Sequence, residues 1–256
     1  ASELFELKEF DYRSEKREKM VIKHIFLGFI LLLTTTPAFA QISEDRAYEI
    51  AYAIYDSLEP MISAKGFGEP SVVINPDGED HARMNTIRAH PFQGKLEFYE
   101  LIIEGKALSL EGGELSFAQI LCHEFGHLLG RRMDGSESKW DGGHYDNDLL
   151  APEGEADYNS LKFLTKVIAQ KPKLLDLSCD NKQLDIARSY LKRKIGIDSQ
   201  KKLDHFATLI VAAWQGLADE PISPFTPDKT IVPETIRDYP SNQGRLDSAI
   251  AGLLGL

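Results

Sequence analysis

Cys122-His123-Glu124-Phe125-Gly126-His127-Leu128 decides how the rest of this chain is read. It contains the pattern His-Glu-x-x-His. On an α-helix, positions i and i+4 lie one above the other on one face, so His123 and His127 offer two imidazole nitrogens to a single metal ion. Glu124, between them, then reaches water at that metal. Ser116 and Gln119 have the spacing of a capping box, and Gly130 marks a C-terminal stop. Leu115, Ile120, Leu121, Phe125, Leu128 and Leu129 supply apolar positions between them. The motif is therefore expected in the middle of a helix.

Glu153-Gly154-Glu155-Ala156-Asp157 supplies the acidic partner. Pro152 suits a first helical position, and carboxylates in a first turn suit the helix dipole. Glu153 and Asp157 share a face at i and i+4, whereas Glu155 points about 200° away. Glu153 is the expected third ligand. Asp157, one turn on, is expected to accept the other ring N–H of a ligating histidine. Glu155 fits simple dipole compensation. Gly154, costly inside a helix, is expected where two helices approach closely.

Working outward, Met20 to Ala40 has a secretory pattern: Lys23 and His24, the apolar run Ile25 to Leu33, and an Ala38-Phe39-Ala40 cleavage site. Residues 1–40 are thus expected to be an upstream extension plus a signal peptide removed after Ala40, placing the protein in the periplasm or outside the cell. Residues 41–256 are expected to form one domain with a sizeable core. The net charge is −11, and residues 1–40 contribute nothing net to it. Such an acidic surface argues against nucleic acid or anionic lipid as a main partner. No apolar run after residue 40 is long enough to span a membrane. Cys122 and Cys179 are the only cysteines. They fit either one disulfide or two buried thiols, and spacing alone does not choose. Cys122 lies about 100° off the face of the histidines, which argues against a ligand role.

Ser43 to Ala64 has apolar residues at helical spacing behind Ser43 as N-cap, closing at Lys65-Gly66. Three β-type runs follow, Pro70–Ile74, Ala82–Ala89 and Leu96–Ile103, and an edge of such a sheet can hold an extended peptide by strand addition. His81 and His90, near turns, read as solvated. The polar loop Arg131 to Leu150 is expected to rim the site. His144 within it is a candidate contact to substrate or metal, although a solvated histidine is the simpler reading because the ligand set is complete without it. Gln183–Lys194, Leu203–Leu217 and a last segment through Leu254 read as helices. His205, among Phe206, Leu209 and Ile210, reads as a packing residue.

His123-Glu124-x-x-His127, Glu153-x-x-Ala156-Asp157 and Tyr239-Pro240-x-x-x-x-Arg245 together resemble the gluzincin zinc metallopeptidases. The similarity is greatest to the family that includes the HtpX heat-shock protease and the CAAX prenyl protease. There the third motif begins with histidine, where this chain has Tyr239. The resemblance implies an α+β, zincin-like domain with a small sheet packed on a mainly helical core. It also implies one zinc per chain held by His123, His127 and Glu153 with an open fourth position, and Glu124 as general base. Tyr239 would donate a hydrogen bond to the oxyanion, and Arg245 would bind a substrate carbonyl or brace its loop. The implied activity is peptide-bond hydrolysis on protein or peptide substrates. A metal-binding but weakly active envelope protein that binds or chaperones partners is the alternative, motivated by Tyr239.

Overall fold

Ser43 does what its position suggests: its Oγ accepts from the Arg46 backbone N–H at 3.3 Å, opening helix α1 (Glu44–Ala64). Glu44 and Asp45 follow in the first turn, where their charge suits the helix dipole. Ala47, Ile50, Ala51, Ile54, Leu58 and Ile62 recur along one face and are buried there. This computed structural model describes residues 41–65, 67–87, 98–110, 112–130, 153–217, 222–227 and 241–256. All of them fall within one compact unit, Ala40–Leu256. The expected signal segment, the rim loop with His144, and Tyr239-Pro240 lie outside the described residues.

Three strands follow α1: β1 (Ser71–Asn75), β2 (Ala82–Ile87) and β3 (Phe98–Glu104). They form one sheet in the order β1–β3–β2. β3 is central, parallel to β1 with Val72 beside Leu101, and antiparallel to β2 with Met84 beside Leu101. Alternation along β3 sends Tyr99, Leu101 and Ile103 into the core. The turn after β1 closes through Gly78 N–H to Asn75 O at 3.0 Å. It is fastened by the buried Glu104, which accepts from the Asp80 N–H at 3.1 Å and lies 3.3 Å from Arg83.

A short helix, α2 (Gly105–Leu108), leads into α3 (Gly113–Leu129), which carries the His-Glu-x-x-His motif. Of its 17 residues 14 are buried, so α3 is a central helix rather than a one-sided surface one. It begins one turn earlier than the expected cap. Ser116 and Gln119 are not a capping box; both are interior and reach sideways. Ser116 Oγ donates to Ala212 O at 3.0 Å, and Gln119 Nε2 donates to Ser160 Oγ at 3.3 Å. The physical reason is burial: deep inside, these polar side chains serve neighbouring helices. Gly130 does end α3, in extended rather than left-handed backbone (φ −59°, ψ 152°).

α4 (Glu153–Gln170) lies against α3 and carries the acidic motif. α5 (Asn181–Tyr190) runs into a π-turn, Leu191–Ile195, and stops at Gly196 with φ 77°. α6 (Gln200–Gly216) and α7 (Asn242–Leu254) complete the helical core. The result is mixed α+β, mainly helical with one small sheet. No helix among the described residues is long and apolar enough to cross a membrane.

One expectation is corrected here, and the alternative left open for the cysteines is resolved. Gly154 is not the point of close approach, since a Cβ there would meet nothing within 4 Å. That point is Gly126, inside the histidine motif, where a Cβ would stand 2.7 Å from Ala156 O and 2.8 Å from its Cα. Cys122 and Cys179 are also free rather than paired. Cys122 is fully buried among apolar side chains of the core, and Cys179 is half-buried, its thiol directed to Leu177 O at 3.7 Å.

Candidate metal centre

The close contact of Gly126 with Ala156 sets two helices backbone to backbone, and this brings their motifs together. His123 and His127 project from α3 on one face, with ring centroids 4.7 Å apart and planes at 86°. Their Nε2 atoms converge to 3.1 Å. Glu153, at the first turn of α4, places Oε2 3.2 Å from His123 Nε2 and Oε1 3.4 Å from His127 Nε2. Ligand atoms of these three residues all lie within 4.8 Å of one another, so the group can hold a metal ion. In a tetrahedral centre with bonds of about 2.0–2.1 Å, ligand atoms stand about 3.3–3.4 Å apart. The observed separations match that spacing. Among the described residues three donors converge, one fewer than a tetrahedral centre takes.

Asp157 supports the first histidine. Its Oδ1 lies 2.8 Å from His123 Nδ1, which assigns the ring proton to Nδ1 and leaves the Nε2 lone pair for the centre. Asp157 is itself 1% exposed. Its main-chain carbonyl accepts from Ser160 Oγ at 2.7 Å, and Ser160 is the residue that Gln119 of α3 grips. The ligand helices are therefore cross-linked by polar contacts as well as by Gly126. Arg245, from the first turns of α7, sets Nε 3.0 Å from Asp157 Oδ2 and Nη2 3.2 Å from Oδ1. Expected at a substrate carbonyl or a loop, it is instead engaged by a buried carboxylate.

Glu124 is 6% exposed, with Oε1 4.0 Å from His123 Nε2. It takes a hydrogen bond from the backbone N–H of Met84 on β2, the sheet edge next to α3. Main-chain donors leave no sequence signal, and this contact was not legible beforehand. Burial is the largest influence on Glu124 and raises its pKa, against the lowering pull of both histidines. Burial alone would lower His123, but Asp157 and Glu153 outweigh it and lift the imidazole to about 10. His127 is likewise raised, with Glu153 outweighing burial. Burial would raise Glu153, yet the two histidines hold it well below the usual carboxylate range. Without metal, His123 is cationic at neutral pH and, with His127, clasps the Glu153 carboxylate.

A cleft of about 400 Å³ opens onto His123, Glu124 and Glu153, with Arg83 and Lys106 on its sheet side and Asn242 on α7. His81, expected to be solvated, is half-buried at this cleft. A larger depression of about 570 Å³ lies between α1 and the turn at 171–174. There Lys171 Nζ donates to Asp56 at 2.7 Å. Chemistry, not size, selects the smaller cleft: among the described residues, metal-ligating groups converge only there. Glu155 lies in the first turn of α4, as dipole compensation expects, and is buried at 6% exposure. His205 is partly buried beside Phe206, ring centroids 5.8 Å apart, as a packing residue should be. Comparisons with protein-family models, with curated proteins and with solved structures give no match.

Proposed function

We propose that the protein is a zinc-dependent peptidase with a zincin-like domain, exported to the periplasm or beyond, which hydrolyses peptide bonds in protein substrates. The observation that carries this reading is a base beside a centre with three donors among the described residues. Glu124 is buried against His123, His127 and Glu153, at the edge of a sheet and the mouth of a cleft. A structural site would be closed by a fourth protein ligand. Two imidazoles and a carboxylate suit zinc, which in such sites polarises a carbonyl and makes its water acidic near neutral pH.

The chain's own groups divide the remaining work. His123 and His127 present Nε2, and Asp157 holds His123 in the tautomer that frees it. Glu124 accepts the proton of the attacking water on its carboxylate and returns it to the nitrogen of the leaving amine. Its raised pKa suits a group that must first take and then give a proton. β2, an edge strand antiparallel to β3 and adjacent to Glu124 through Met84, suits an extended substrate added as a further strand.

The test is Glu124→Gln, which keeps shape and removes the base. Casein cleavage should fall by ~10²–10⁴-fold or more with zinc content unchanged. Equal cleavage by the variant would end this mechanism. Zinc binding without cleavage in the wild-type protein would favour a binding or chaperone module.

A further inference from the structure

Arg245 touches the candidate centre at two levels. Its fork closes on Asp157 through Nε at 3.0 Å and Nη2 at 3.2 Å. Nη2 also lies 3.5 Å from Glu153 Oε2 and 3.4 Å from His123 Nε2. One guanidinium therefore spans a ligand carboxylate and the carboxylate that orients a ligand histidine. It is delivered by a helix, not a loop. Ser241 caps α7 by accepting from the Gly244 N–H at 3.1 Å. Seven residues beyond Arg245, Gly252 packs so closely on Tyr158 of α4 that a Cβ would run into its backbone. Positions 245 and 252 share a helix face, so α7 is pressed to α4 at one point and bound to its acidic motif at the other.

Two effects of this arginine oppose each other. A guanidinium beside the donor atoms repels an incoming dication, so charge alone makes Arg245 unfavourable to metal binding. As an organiser it works the other way. Asp157 is almost fully buried, and a buried carboxylate stripped of its cation is left uncompensated and free to move. His123 would then lose the partner that sets its tautomer and ring orientation. We infer that Arg245 is a positioning residue for the metal ligands: its fork fixes Asp157 against His123 and steadies Glu153, tying the C-terminal helix to the metal centre. Organisation outweighs repulsion because the ligands are only useful in one geometry. Lysine would keep the charge and lose the fork.

This inference rests on the metal reading of the centre and not on peptide hydrolysis. It is tested by zinc affinity, measured by chelator competition on the wild-type protein and on Arg245→Lys and Arg245→Met. Hydrogen exchange of α7 is followed with and without zinc. Both variants should bind zinc about 10–100-fold more weakly, as loss of an outer partner does elsewhere. Zinc should slow α7 exchange in the wild type and not in the variants. Leu246→Ala loosens α7 at a fully buried neighbour without touching the fork; it should lower Tm and leave zinc affinity unchanged. Equal or tighter zinc binding by Arg245→Met would show that the fork does not organise the ligands and overturn the inference. So would a Leu246→Ala loss as large as that of Arg245→Lys, which would make the effect one of general packing. A wild type that binds no zinc fails before any variant is made, and removes the metal reading itself.

Discussion

At the scale of single residues, the centre is built from groups whose protonation is set by each other. His123 is lifted to about 10 because Asp157 and Glu153 outweigh burial, so in metal-free protein at pH 7 it carries a proton. A ligating imidazole must be neutral, and metal binding therefore expels that proton. Titration calorimetry in buffers of different ionisation heat should show release of at least one proton per zinc at pH 7, with affinity rising as pH rises. Binding without proton release would contradict these assignments. The same charge acts on stability. A raised imidazole stabilises the metal-free fold fully below its ordinary pKa of ~6.5, and this is lost as pH climbs through the folded value of about 10. Glu153, held low, contributes above the ordinary carboxylate range and loses that contribution as pH falls through and below it. Urea melts of metal-free protein should thus weaken between pH 7 and pH 10, while metal-loaded protein, its imidazoles already neutral, should not.

At the scale of helices, the decisive contact is that of Gly126 with Ala156. Gly126→Ala must push α3 and α4 apart, because the added methyl meets backbone rather than a movable side chain. A cost of about 1–3 kcal/mol or more is expected, each 1 kcal/mol lowering Tm by roughly 2–4 °C in a domain of this size. Zinc affinity should fall with it, since the ligands are split between the two helices. Gly154→Ala is the contrast. Its Cβ enters open space and its φ is not positive, so stability should hold or rise by up to ~1 kcal/mol. Equal damage from both substitutions would refute the close-approach reading. These two glycines also show what the chain made legible. The caps and periodicity of α1, the existence of three strands, and the i, i+4 phase of His123/His127 and Glu153/Asp157 follow from local spacing. Which glycine meets a neighbour does not, because it depends on where α4 lies. Ser116 and Gln119 fit a cap and an interhelical bridge equally well until burial decides. The order β1–β3–β2 and the Met84 N–H on Glu124 are tertiary facts with no sequence pattern of their own.

At the scale of the whole molecule, helices from distant parts of the chain meet at one metal-ligating group, and metal binding is linked to the fold. A ligand at 100 times its Kd adds about 2.7 kcal/mol and at 1,000 times about 4.1 kcal/mol. Chelation should therefore lower Tm by several degrees, and zinc should restore it. The two thiols are not part of this stability. Titration of denatured, unreduced protein with a thiol reagent should count both Cys122 and Cys179 as free, and a count of zero would show a bond between them. The most direct test of the peptidase reading is a zinc titration of chelator-stripped protein with casein cleavage followed at every step. Activity should be absent at the start, rise in proportion to zinc and saturate near one zinc per chain. Cleavage that survives stripping, or that never appears in the zinc-loaded protein, would contradict it.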